Sequence, residues 1–305
     1  MKKEHIQKTV IGGILMKRIV YLGPKNTFTG EAAKQLAKKT GTEIELVDLT
    51  SVEAVARSVA SGNADMGVMA CYNYLEGLVQ ECLDLIYEQN LRIIGMQRLP
   101  IVFSVGRSSD STVQEEIYSH PKALAQCSEW LWRNYPNGKQ IAVASTAAGA
   151  QKVAETKSGL AIASADALKS RGLEVVAEDI GNKKHGRANF TDFYLVAREN
   201  GVEYDATKQY LTMVAITPHT DKPGLLAEIL QQVAFYHLNN AKIHSRPALD
   251  AVEIADLEPQ MFYLEIMAHE HSDEMRRCID ALRFTLTPKG KDVEVVRVLG
   301  SYERL

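Results

Sequence analysis

Hydroxyl residues stand where helices are expected to open. Thr27 and Thr29 follow the turn Gly23-Pro24-Lys25-Asn26, Ser119 comes just before Pro121, and Ser145-Thr146 lead into an alanine-rich stretch from Ala147. The first turn of a helix carries unpaired backbone N–H groups and the positive end of the helix dipole. Such starts suit an anion bearing carboxylates, with the hydroxyls as donors to its oxygens. The same residues also read as plain helix caps. Three further side chains could move a proton: Tyr74 and Glu76 in the 72–78 stretch, and His120 next to Ser119. His120 reads equally as a positioning or structural hydrogen-bonder, and Glu76 as an exposed residue at a helix start. Neither a metal-ligand cluster nor a Gly-rich dinucleotide fingerprint is visible, so no metal and no cofactor are expected.

The elements that must position these residues alternate along the chain. Arg18–Leu22 reads as a buried strand, 29–39 as a helix, 43–49 as a strand, 51–60 as a helix and 65–70 as a strand. A second block repeats the plan. It has strands at 99–105, 140–144, 160–163 and 173–177, helices opening near Pro121, Ala147 and Ala165, and a last strand at 193–197. Alternation of this kind predicts parallel or mixed sheets covered by helices, here as two α/β lobes meeting at a cleft. Residues 200–208 read as a linker. From Gln209 the order becomes βαββαβ, the ferredoxin-like α+β plan.

Composition bounds the rest. The chain has 305 residues, 46% hydrophobic and 24% charged, with a net charge of −3. That is globular composition with room for two domains, and its charge argues against a broad nucleic-acid footprint. Four cysteines are scattered without a C-x-x-C pair, which reads as reduced thiols in a cytoplasmic protein. No apolar run reaches the ~20 residues of a membrane span. Residues 1–15 read as an extension ahead of the folded pattern.

The motifs resemble one family in order. Gly23-Pro24-Lys25-Asn26-Thr27-Phe28-Thr29 looks like the opening loop of prephenate dehydratases. Ser119-His120-Pro121-Lys122-Ala123-Leu124-Ala125-Gln126-Cys127 resembles the start of that family's second-lobe helix, and Ser145–Ala150 its third motif. Asn189-Phe190-Thr191-Asp192-Phe193 sits where the family has Asn-x-Thr-Arg-Phe. Lys222–Ala227 and Lys242–Pro247 continue the resemblance into a regulatory ACT domain. It covers residues 18–301. It implies a two-lobed, periplasmic-binding-protein-like catalytic domain at 17–200, with lobes of about 17–97 plus 180–200 and of 98–179, and an ACT domain at 209–301. The implied catalytic residues are Thr191, Tyr74, Glu76 and His120. Thr27, Phe28, Asn73, Ser119, Ser145, Thr146, Ala147, Asn189 and Phe193 are the implied substrate contacts. Gly224, Leu225, His244, Ser245 and Arg246 form the implied effector site, and the ACT domain implies a homodimer or homotetramer. Gln126 reads as helix packing.

Two departures from the family stand out. Asp192 replaces an Arg that would offer a carboxylate a cationic fork. Ala70-Cys71-Tyr72-Asn73-Tyr74 replaces a Pro-Ile-Glu-Asn-Ser stretch, keeping only the Asn. This pattern, with Tyr72–Glu88, resembles the prephenate decarboxylases of antibiotic pathways, of the bacilysin type. The resemblance then implies loss of CO2 from prephenate without aromatization, giving a dihydro-4-hydroxyphenylpyruvate. The alternatives are an ordinary dehydratase making phenylpyruvate and a non-catalytic small-anion-binding protein.

Overall fold

The computed structural model describes residues 10, 11, 14, 15, 17–41, 43–110, 116–181, 188–199, 203–218, 222–248, 260–287 and 293–304. Within the expected extension, Val10–Ile11 and Ile14–Leu15 pair as short antiparallel strands, and its other residues lie outside the described ones. Contacts divide the chain into two units. One is Met1–Cys82 with Gln97–Phe193; the other is Leu83–Met96 with Tyr194–Leu305. The partition read from strand order, 17–200 and 209–301, divides the chain at different places.

The first unit holds 98–179, read as the second lobe, and of the expected first lobe only 17–82, 97 and 180–193. Ile44–Leu49, Lys17–Leu22 and Met66–Asn73 lie parallel, and Phe190–Ala197 and Arg92–Pro100 complete the sheet order. Parallel neighbours need crossovers, supplied by the helices Phe28–Lys39 and Val52–Ala60. Each buries one stripe: Ala32, Ala33 and Leu36 on the first, Val55, Ala56 and Val59 on the second. The expected strand 99–105 is in fact two, Arg92–Pro100 and Ser104–Arg107, in different sheets.

The second lobe is a five-stranded mixed sheet in the order Lys139–Ala142, Glu116–Ser119, Leu160–Ala163, Ser104–Arg107, Glu174–Ala177. Its central strand shows how both faces are covered. Leu160 and Ile162 pack with Leu124, Cys127 and Leu131, whereas Ala161 and Ala163 pack with Ala150, Val153 and Leu168. Period-two alternation thus puts large residues on one face and small ones on the other. The small face lets the helix Thr146–Thr156 come close. A Cβ on Gly149 would stand 2.8 Å from the Tyr118 carbonyl oxygen, so only glycine allows this approach. The contact fixes Ser145 and Thr146 beside the end of the Glu116–Ser119 strand.

The second unit contains an antiparallel sheet in the order Asn240–Pro247, Gln260–Ile266, Tyr210–Ile216, Val296–Glu303, with helices Leu225–Phe235 and Asp273–Leu286. This is the expected βαββαβ chain order. The Leu83–Met96 segment belongs with it through specific bonds. Arg92 donates to both oxygens of Glu270 at 2.6 Å and to the Val298 carbonyl, and Arg246 pairs with Asp84. Gly300, at φ +134°, lies so close that a Cβ there would meet Ile93 N at 2.7 Å. Glu265, 1% exposed, accepts from the hydroxyls of Tyr194 (2.9 Å) and Tyr302 and pairs with Lys242 at 3.1 Å.

Cys71 and Cys82 are joined in a disulfide, which corrects the expectation of four reduced thiols. The Gly77–Leu78 strand folds back on Tyr72 and Asn73, and Val79 N donates to the Cys71 carbonyl at 2.9 Å. That turn brings the two Cα atoms within 5.5 Å, inside the range a disulfide needs. Cys127 and Cys278 are free and buried, and burial pushes their thiols up to about 12 and about 11, which leaves no ready thiolate. No described helix is long and apolar enough to cross a membrane.

Candidate active site

A cleft of about 580 Å³ runs between the helix starts of the two lobes. Its walls carry Leu22, Gly23, Pro24, Thr27, Phe28 and Thr29 from the opening loop, and Asp48, Leu49 and Thr50 from the next strand end. From the second lobe come Phe103, His120, Lys122, Ala123, Ala144, Ser145 and Thr146. Six of the residues picked from sequence therefore meet in one place: Thr27, Phe28, Thr29, His120, Ser145 and Thr146.

Capping and ligand binding are compatible roles for the hydroxyls. Thr27 Oγ1 accepts from Gly30 N at 3.2 Å, and Ser145 Oγ accepts from Ala148 N at 3.0 Å. Each cap uses a lone pair, so the O–H of each remains a donor. Ser119 differs. It is fully buried and its Oγ donates to the Ile162 carbonyl at 2.6 Å. Its proton is committed inside the lobe, and the actual cap is His120, whose Nδ1 accepts from Lys122 N at 3.3 Å. Burial, with Lys122 beside it, holds the His120 pKa below the ordinary histidine value, while Glu76 opposes the shift. Phe28 and Phe103 meet edge to face at 5.8 Å and give the cleft an apolar wall. Ala147 and Phe193 are core residues, 3% and 2% exposed.

A hydrogen-bonded chain adjoins the cleft. Asn73 Nδ2 donates to Thr191 Oγ1 at 2.9 Å, and Asn73 Oδ1 accepts from the backbone N of Leu75 and of Glu76. Glu76 then reaches the second lobe, where its Oε2 accepts from Lys122 Nζ at 2.6 Å and its Oε1 from Gln126 Nε2 at 2.8 Å. Gln126 Oε1 in turn accepts from Asn189 Nδ2 at 3.1 Å. Tyr74 stacks on Phe190 with ring centroids 5.0 Å apart. Thr191, Asn73, Tyr74 and Glu76 stand outside the cleft lining given above; Thr191, Asn73 and Glu76 connect to it through Lys122. Both Glu76 oxygens act as acceptors in this arrangement.

Asp192 is fully buried and grips Arg98. Arg98 Nε donates to Oδ1 at 2.7 Å and an Arg98 terminal nitrogen to Oδ2 at 3.0 Å, while the guanidinium lies 4.1 Å over the Phe190 ring. Strand alternation sends Asp192 to the face opposite Thr191. Sequence reasoning missed Arg98, Lys122 and Asp48, and took Gln126 for packing. The i,i+4 spacing of Lys122 and Gln126 was the available clue, since it puts both on one helix face.

The residues read as an effector site are in the second unit. Gly224 caps the Leu225–Phe235 helix at φ +87°, and Leu225 is buried beneath it. Along Asn240–Pro247 burial alternates, so His244 and Arg246 turn inward and Ser245 outward. Arg246 is held by Asp84, and burial holds the His244 pKa below its ordinary value. Among the described residues, no group of three His, Cys, Asp or Glu is placed to hold a metal ion.

Known proteins resemble nearly the whole chain. The family model described as prephenate dehydratase matches residues 19–201. The bifunctional chorismate mutase/prephenate dehydratase of Aquifex aeolicus is 28% identical over 305 residues, 98% of this chain and 78% of that protein. The prephenate dehydratase of Amycolatopsis methanolica is 29% identical, over 95% of this chain and 89% of its own. The solved structure of an Arthrobacter aurescens prephenate dehydratase in complex with L-Phe aligns with a TM-score of 0.78 and 29% identity, covering 94% of this chain and 90% of that one. The chain belongs to the prephenate dehydratase family.

Proposed function

We propose that this protein is a carboxy-lyase that removes CO2 from prephenate and keeps the ring hydroxyl, feeding a non-proteinogenic amino acid or antibiotic. The observation that carries this reading is Asp192. The family places an arginine there; here a buried carboxylate is committed to Arg98. Dehydration and decarboxylation both release the ring carboxylate as CO2. Dehydration must also expel the C4 hydroxyl, which needs a donor beside that oxygen. Decarboxylation alone sends the electron pair through the diene and takes up a proton at the far ring carbon. The apolar Phe28–Phe103 wall strips water from a carboxylate seated against it, which favours its loss. The hydroxyls of Thr27, Ser145 and Thr146 serve the carboxylate that stays.

Dehydration to phenylpyruvate is the second reading, favoured by the Thr191–Asn73 pair, which keeps the family threonine hydrogen-bonded. Proton NMR of the product decides between them. The expected spectrum lacks aromatic ring protons and retains the carbinol proton. Phenylpyruvate as the direct product at neutral pH would overturn the decarboxylase reading, and no CO2 release at all would favour a binding protein. In the same assay Thr191→Val is expected to lower turnover by about tenfold or more.

The reading extends to the C-terminal βαββαβ segment as an ACT-type domain that forms a homodimer or a dimer of dimers. Its support is the edge strand Asn240–Pro247, whose outward residues Ile243 and Ser245 are exposed. A phenylalanine effector would meet His244 where the family has Glu, so weak binding is expected. Light scattering should give a dimer or larger; a monomer at micromolar concentration would refute the assembly.

A further inference from the structure

We propose that Lys122 is the cation that anchors a substrate carboxylate in the cleft, with Glu76 positioning it. The inference rests on the reading of the cleft as a prephenate site. A dianionic substrate needs a compensating charge, and Asp192 supplies none. Lys122 lines the cleft on the second-lobe side, as does the neutral hydroxyl of Ser145, and the first-lobe side carries the carboxylate of Asp48 and the hydroxyl of Thr27. His120 beside it has its pKa lowered, chiefly by burial, which disfavours a charged imidazole there.

Three observations make Lys122 a fixed cation rather than a loose surface lysine. Its Nζ lies 2.6 Å from Glu76 Oε2. Glu76 is itself held by Gln126 at its other oxygen and by Asn73 Oδ1 at its backbone N, 3.1 Å away. Gln126 is held by Asn189. An ammonium carries three donors, so one bond to Glu76 leaves two for a carboxylate in the cleft. Asn73 also binds Thr191, so the same chain of bonds sets the anchor and the threonine relative to each other.

The test is steady-state kinetics on prephenate with three variants, together with thermal shift by prephenate. Lys122 is 65% exposed, so its replacement leaves the core intact. Lys122→Gln is expected to raise KM about tenfold or more while kcat changes by less than about threefold. Lys122→Arg should keep KM near wild type, and Glu76→Gln should raise it less than Lys122→Gln. An unchanged KM in Lys122→Gln, with wild-type turnover present, overturns the anchor alone. Stabilisation of the wild type by prephenate, lost in Lys122→Gln, supports the anchor even where no CO2 is released; that result would sink only the decarboxylase reading. A wild type that neither turns prephenate over nor is stabilised by it overturns both.

Discussion

Asp192→Arg should weaken the fold and restore no dehydratase. Asp192 has no exposed surface, and both of its oxygens accept from Arg98. An arginine at 192 would remove that pair and press a second guanidinium against the first. Breaking a buried ion pair costs roughly 3–5 kcal/mol, and Arg98 is 47% exposed and can turn to water, which favours the lower end. The changed Ala70–Tyr74 loop would remain as it is, so phenylpyruvate is not expected. Urea denaturation and product NMR read the two halves separately. Undiminished stability together with phenylpyruvate formation would defeat the account. The exchanged pair, Asp192→Arg with Arg98→Asp, should recover part of the lost stability.

The second large effect is expected at Glu265. Its carboxylate accepts from two phenols that are also 3.2 Å from each other, and it pairs with Lys242. Burial first, then Tyr194 and Glu265, pushes the Tyr302 hydroxyl well above the usual phenol range, so it stays a donor at any ordinary pH. Glu265→Ala would leave two buried hydroxyls and a half-hidden ammonium without their common acceptor, at a cost of about 3–5 kcal/mol. Glu265→Gln keeps one acceptor oxygen and the shape, and should cost clearly less. A denaturation midpoint unchanged by Glu265→Ala would show that the cluster holds nothing together.

Local signals in the sequence were dependable because their causes are local. Thr27 and Ser145 cap helices as read, and Pro121 takes the first helical position that its fixed φ suits. The βαββαβ order followed from hydrophobic period and turn residues. What stayed hidden depends on partners far along the chain. Arg98 lies 94 residues from Asp192, and Glu76 lies 46 from Lys122. No spacing rule joins such residues before the sheet does. Ser119 looked like Ser145, yet its place at the end of an inner strand turns its hydroxyl into the lobe. Most of the Arg92–Pro100 strand was missed because Gly95 and the polar Gln97-Arg98 interrupt its apolar run.

The close seat of Gly300 on Ile93 bears on how this polypeptide can be made and cut. One piece of the second unit, Leu83–Met96, emerges from the ribosome long before the strand Val296–Glu303 that covers it. During synthesis Ile93 therefore waits for a cover that arrives only with the strand Val296–Glu303. Protease cleavage at the 201–208 stretch would not release a self-sufficient C-terminal fragment, because Arg92, Asp84 and Ile93 would stay on the other piece. Two such fragments would instead be expected to remain associated, or to rebind when mixed, as complementing halves of one molecule.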